Sequence, residues 1–133
     1  MADEEKLAQD VYAAFAARYP SVVFGNIGTA ESTHLAAVRA MLARYEVADP
    51  TAGLAAGTFA LPETTTLYES LLAQGSASEA AAFTVGRTVE LDDIAKLDDA
   101  RAGVTATDIL RVYDNLRRGS TLHLAAFSRL LGI

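Results

Sequence analysis

Three observations predict an all-α fold. The chain is rich in Ala and Leu, carries 3 prolines in 133 residues, and shows few β-branched runs. Apolar residues recur at helical spacing in several long stretches, which Gly and Pro separate. At this length one domain is expected, spanning residues 1–133.

The first helix is expected over Asp3–Arg18, with Asp3 as its cap. Leu7, Val11 and Phe15 form its apolar stripe, flanked by Ala8 and Tyr12. Tyr19-Pro20-Ser21 ends it. The next helix starts between Ser21 and Thr29 and runs to about Tyr45. Its inward residues are Ile27, Glu31, His34, Leu35, Val38, Met41 and Leu42. Gly25 and Gly28 leave its start open. Residues 46–61 read as loop, around Asp49-Pro50, Gly53 and Gly57. A short helix follows from Pro62, which suits a first helical position, to about Gln74, with Gly75 as its stop. Leu67, Leu71 and Leu72 are expected to face inward.

Ser76 or Ser78 caps the following helix, which runs to roughly Asp99. Ala82, Phe83, Gly86, Glu90, Ile94 and Leu97 make its core face. After Gly103, Thr105-Ala106-Thr107-Asp108 approximates a capping box, with Asp where Glu or Gln is usual. The last helix extends to about Leu131 on the stripe Ile109, Val112, Leu116, Leu124 and Phe127. The pattern is two helical hairpins joined by a crossover of about 30 residues that contains the short helix.

The net charge is −6, and Arg117-Arg118 is the only adjacent basic pair. A nucleic-acid partner is therefore not expected, since phosphate binding needs clustered Lys and Arg. No apolar run is long enough to span a bilayer. The acidic start Met1-Ala2-Asp3-Glu4-Glu5 is unlike a signal peptide, so the expected location is cytoplasmic. The chain has no cysteine, which excludes disulfides, thiolate-held zinc, iron–sulfur clusters and thiol nucleophiles. Any metal must be held by oxygen and imidazole.

The 2 histidines are the most informative residues. His34 closes Glu31-Ser32-Thr33-His34 and His123 closes Ser120-Thr121-Leu122-His123. Residues three apart share a helix face, so Glu31 and His34 point together, as do Glu90 and Asp93. The inner face thus offers Glu5, Glu31, His34, Glu90, Asp93 and His123. Four carboxylates and two imidazoles cannot stay charged in an apolar core without counter-charges. No inward Lys or Arg is evident in the pattern, and one or two divalent cations would supply the positive charge. Each residue also has a plainer reading. Glu4 and Glu5 favour a helix N-terminus without any metal. Asp93 suits a solvated position beside Asp92, and Tyr12 and Tyr113 read as core aromatics. Gly86 and Ser120 read as small packing residues.

Four segments carry a family resemblance along nearly the whole chain. They are Glu4-Glu5-Lys6-Leu7-Ala8-Gln9-Asp10-Val11-Tyr12, Ala30-Glu31-Ser32-Thr33-His34, Glu90-Leu91-Asp92-Asp93-Ile94 and Asn115-Leu116-Arg117-Arg118-Gly119-Ser120-Thr121-Leu122-His123. Together they resemble the ferritin-like superfamily, close to a bacterial and archaeal branch known only as a domain of unknown function. The resemblance implies a four-helix bundle with the long crossover between its second and third main helices. It also implies a di-metal site of the rubrerythrin kind, with one Glu from each of two helices and Glu-x-x-His from each of the other two. Glu5 and Glu90 match the single carboxylates, Glu31 and His34 the first pair, and His123 the second histidine. Asp93 resembles an extra acidic position of rubrerythrin-like relatives. Ser120 departs from the pattern, because it stands where the second Glu belongs. No Cys-rich electron-transfer module is present, so an external electron donor is implied.

Three functions follow. The resemblance implies a di-iron or di-manganese carboxylate protein with ferroxidase-like or peroxidase-like oxidoreductase activity toward O2 or H2O2. The Ser120 departure supports a non-catalytic metal-binding protein. An Ala-rich helical interaction domain with a degenerate site, pairing as a homodimer, is the third.

Overall fold

A computed structural model describes residues 1–133. It holds five helices and no strands: α1 (Ala2–Arg18), α2 (Val22–Arg44), α3 (Pro62–Gly75), α4 (Glu79–Arg101) and α5 (Thr107–Leu130). Each expected helix is present with ends within a few residues. Short connections fold α1 against α2 and α4 against α5 as two hairpins. α3 lies across α1 and α4, and α2 meets α5 on the other side. No helix is long and apolar enough to cross a membrane.

The helix starts follow the capping chemistry in part. Ser21 accepts from the Val23 N–H at 3.4 Å and Ser78 from the Ala81 N–H at 3.0 Å, each satisfying a free first-turn donor. Pro62 begins α3 as expected. Asp3 does not cap α1. It lies within the helix, buried, and accepts from the N–H groups of Ala60 (2.8 Å) and Leu61 (3.0 Å). Thr105 and Asp108 form no capping box either. α5 starts at Thr107, and Asp108 instead accepts from Tyr45 Oη at 2.8 Å. Asp3 is taken by groups far along the chain, and Asp108 Oδ1 is shared between Tyr45 and the neighbouring Ile109 N–H at 2.9 Å.

Two apolar clusters divide the core. The larger is aromatic, built from Tyr12, Phe15, Phe24, Phe83 and Phe127 with Leu7, Val11, Ile27, Leu71, Val85 and Val89. Phe24 stacks on Phe83 at 5.4 Å and meets Phe15 at 5.3 Å between ring centroids. The smaller cluster contains Ala2, Leu35, Val38, Leu97 and Leu116. Glu5, Glu31, His34, Glu90 and His123 occupy positions between these clusters along the helices. Leu67, expected inside, is 37% exposed, because the short α3 buries only Leu71 and Gly75 fully.

The crossover is tied to α1 by charged residues. Lys6, which the apolar pattern did not mark as inward, is buried. It pairs with Asp10 at 2.6 Å, donates to the Ala55 carbonyl at 2.9 Å and sits 4.9 Å over the Phe59 ring. Asp10 also accepts from the Gly57 N–H at 3.0 Å.

Gly86 of α4 makes room for the Phe127 ring of α5. A Cβ there would lie 2.5 Å from the Phe127 ring, which is fully buried. Gly86→Ala therefore sets a propensity gain of about 1 kcal/mol against overpacking of about 1–3 kcal/mol. The ring has no free space to move into, so overpacking is expected to win. Urea unfolding of Gly86→Ala should give a lower midpoint than the parent; a raised midpoint contradicts the rigid Phe127 packing.

Candidate metal centre

Each of the four main helices sends one or two polar side chains to the middle of the bundle. Glu5 comes from α1, Glu31 and His34 from α2, Glu90 and Asp93 from α4, and His123 from α5. Glu5, Glu31 and Glu90 are 1–2% exposed and Asp93 is 7% exposed. The imidazoles of His34 and His123 stack at 5.6 Å between centroids and keep 13% and 12% of their side chains exposed.

Two three-residue groups form. Glu5, Glu31 and His34 have ligand atoms within 4.8 Å of one another, and so do Glu31, Glu90 and His123. Glu31 belongs to both. Its Oε2 lies 3.0 Å from His34 Nδ1 and its Oε1 lies 2.7 Å from His123 Nδ1. His34 Nδ1 is also 3.4 Å from Glu5 Oε2, and His123 Nδ1 is 3.5 Å from Glu90 Oε1. The groups match in composition, each with one carboxylate of its own, one imidazole and the shared Glu31.

Several of these atoms have no hydrogen-bond partner: both Glu5 oxygens, Glu31 Oε1, His123 Nδ1 and Asp93 Oδ1. His123 Nδ1 and Glu31 Oε1 are close yet lack hydrogen-bond geometry. Buried polar atoms left unpaired cost stability. Carboxylate oxygens and imidazole nitrogens converging in this way are also the ligand types that a cation takes.

Neighbouring residues fix these side chains. Tyr12, fully buried, donates to Glu90 Oε1 at 2.7 Å. Burial and the Glu90 charge push the Tyr12 phenol well above its ordinary value, so it stays a donor. The spacing of Tyr12 seven residues after Glu5 hinted at this inward position, but its partner lies 78 residues away. Gly119 makes room for His34, since a Cβ there would lie 2.5 Å from Nε2. Ser120 donates to Asp93 Oδ2 at 2.6 Å, and its Oγ also lies 3.2 Å from the Leu116 carbonyl. Asp93 is thus buried and turned toward Ser120, outside both three-residue groups.

The site's charge balance depends on protons. Burial opposes charge on His34 and His123, but the carboxylates outweigh it and lift them to about 10 and about 9. Burial likewise raises Glu5 to about 8, Glu90 to about 7 and Asp93 to about 6, with neighbouring carboxylate charges adding to it. Burial also acts on Glu31, but the two imidazoles win and hold it down to about 2.

Stability without metal follows from these directions. Five groups hold protons in the fold that the unfolded chain sheds at lower pH, so the fold is favoured where they are protonated and disfavoured as pH rises through their folded values. Asp93, Glu90 and Glu5 act across pH 4–8, and the histidines from about 6.5 up to about 10. Glu31 acts oppositely, and only below about pH 4.5. The thermal midpoint of chelator-treated protein is expected to fall steadily from pH 6 to 9. A flat or rising profile contradicts the protonated cluster.

Residues 1–132 match the family model described as "Uncharacterized protein domain (DUF2202)". The chain is 40% identical over 131 residues to "Uncharacterized protein MJ0754" of Methanocaldococcus jannaschii, covering 98% of this chain and 71% of that protein. The fold superposes on the crystal structure of hypothetical protein MJ0754 from Methanococcus jannaschii with a TM-score of 0.96 and 39% identity. That alignment covers 99% of this chain and 75% of the other.

Proposed function

The chain belongs to the DUF2202 family, and from that premise we propose that it is a ferritin-like, carboxylate–histidine protein that binds a pair of divalent cations inside a four-helix bundle. One observation carries the reading: Glu31 turns one oxygen toward each imidazole and belongs to both three-residue groups. Glu5, Glu31 and His34 would hold one ion, and Glu31, Glu90 and His123 the other. Such pairing of carboxylates with histidines across four helices is the arrangement of di-metal carboxylate bundles. The donor set fits Fe or Mn, since oxygen and imidazole are the only ligand types present. It also supports the fit that buried oxygens are left without partners, which a cation would satisfy.

When bound, Fe or Mn supplies redox chemistry toward O2 or H2O2, so the reaction class is oxidation of ferroxidase or peroxidase type. The protein's own contribution is positional. Tyr12 orients Glu90, and Gly119 leaves the space that lets the His34 ring lie beside the carboxylates. The aromatic cluster walls off one end of the site from water. In a ferroxidase-type reaction the Fe(II) would itself supply the electrons, and a peroxidase-type cycle would take them from a separate donor. Metal storage without turnover is a second reading, favoured by Ser120 where the superfamily pattern has Glu.

Metal content after anaerobic Fe(II) or Mn(II) loading, read by plasma mass spectrometry, tests this. Two ions per chain are expected in the parent, as in other di-metal bundles. Glu31→Ala should lose both and His123→Ala should keep one. Equal content in parent and Glu31→Ala removes the di-metal reading. Oxidation of loaded Fe(II) by O2 or H2O2 then separates the redox protein from the storage protein. Affinity is expected to rise with pH, because the imidazoles and Glu5 must release protons to bind.

A further inference from the structure

Adjacent acidic pairs lie in two of the segments that carry the site, Glu4-Glu5 on α1 and Asp92-Asp93 on α4. In each pair one member is fully interior and the other is not. Glu5 and Asp93 are buried, Glu4 is partly buried and Asp92 is exposed. The two outer members do not simply point into bulk water. They line the same cleft, of about 210 Å³, between α1, α3 and α4.

Leu67 and Leu71 of α3 form an apolar wall of this cleft, and Lys96 lies within it. The Lys96 ammonium sits 2.9 Å from Asp92 Oδ2 and 3.8 Å from Glu4 Oε1. The other Glu4 oxygen meets the Met1 amino group at 2.7 Å. Of the six inward residues from the four helices, only Asp93 lines the cleft. Asp93 is 7% exposed, its Oδ2 is held by Ser120, and its Oδ1 has no partner. It also lies one turn from Glu90 on α4, on the interior face. The side chains therefore form a carboxylate series from surface to interior: Glu4 and Asp92, then Asp93, then the three buried glutamates.

We infer that this cleft is the loading path by which a divalent cation reaches the buried centre. Glu4 and Asp92 collect the ion, Lys96 is the tethered counter-charge that the ion displaces, and Asp93 passes it inward. The inference rests on the metal-binding reading above and assigns roles outside the two three-residue groups. Three features favour a cation over a neutral molecule. The mouth is acidic, the only side-chain cation there is a Lys 39% exposed, and Asp93, the buried carboxylate that lines the cleft, has one oxygen with no partner. A lysine whose shorter ion pair is to an exposed Asp92 is cheap to displace.

The test separates the rate of loading from the amount loaded. Chelator-treated protein is mixed with Co2+ in a stopped-flow instrument, and visible absorbance reports arrival at nitrogen and oxygen ligands. Mass spectrometry gives the final content. Asp93→Asn is expected to slow loading about tenfold, the lower range of electrostatic steering effects. Lys96→Met should speed loading at low salt, and added salt should slow the parent. Leu67→Trp, at a position 37% exposed, should slow loading by narrowing the cleft. Final content should stay at the parent level in all three.

Asp93→Asn and Leu67→Trp both loading at the parent rate would overturn the inference. A lower final content in Asp93→Asn makes Asp93 a resident ligand and overturns its transfer role. Leu67→Trp that loads normally but slows the reaction of bound Fe(II) with O2 assigns the cleft to a neutral molecule instead. Lys96→Met and Leu67→Trp change side chains at the cleft rim, so they decide the matter even if Asp93→Asn fails to fold. A parent protein that takes up no Co2+, Fe(II) or Mn(II) defeats the metal reading itself, a result distinct from any of these.

Discussion

One carboxylate between two imidazoles organises the molecule. Glu31 has an oxygen 3.0 Å from His34 and another 2.7 Å from His123, although these histidines belong to different hairpins. Meeting both requires α2 and α5 to approach closely, at matched height. Gly119 and Ser120 allow it, one by leaving the space the His34 ring fills and the other by being small enough to lie fully buried. A polar layer of this kind is costly to bury. The apolar clusters above and below carry that cost, and the aromatic one fixes all four main helices through Tyr12, Phe24, Phe83 and Phe127.

The second organising element is the acid pairing on α1 and α4. A helix places successive residues about 100° apart, so two neighbouring acids cannot share one environment. Glu5 and Asp93 face the interior, while Glu4 and Asp92 face the cleft under α3. The short helix α3 is therefore more than a connection. Leu71 closes the core, and Leu67, half outside, borders the opening.

Much of this was legible in the sequence. Helical spacing alone put Glu31 with His34 and Glu90 with Asp93 on inward faces, because a period of three to four is local information. Pro62 marked a helix start through its fixed φ, and Ser78, one of two candidate caps, bonds the first turn as expected, while the α2 start left open between Ser21 and Thr29 is set by Ser21. What the sequence hid was contact between distant segments. Asp3 looked like a cap, and Thr105 with Asp108 looked like a box, but tertiary partners took Asp3 and Asp108. Lys6 looked like a surface residue, yet the crossover covers it and Asp10 neutralises it. Ser120 read as a small packing residue, whereas its hydroxyl holds Asp93 across 27 positions. Tyr12 read as a core aromatic, which it is, but its phenol also fixes Glu90.

The attachment of residues 46–61 to α1 has an evolutionary consequence. Asp3, Lys6 and Asp10 hydrogen-bond to this stretch through the main-chain groups of Ala55, Gly57, Ala60 and Leu61, and Lys6 also lies over the Phe59 ring. Every residue type but proline offers the same N–H and C=O. Side chains at Ala55, Ala60 and Leu61 are thus less constrained than their main chain, whereas Thr51, Gly57 and Phe59 are held by burial, a positive φ and ring contacts; insertions and deletions shift the register of all the gripped groups at once. Ala55, Ala60 and Leu61 can change identity more readily than the segment can change length, and the selection that limits its length acts on three charged residues of α1.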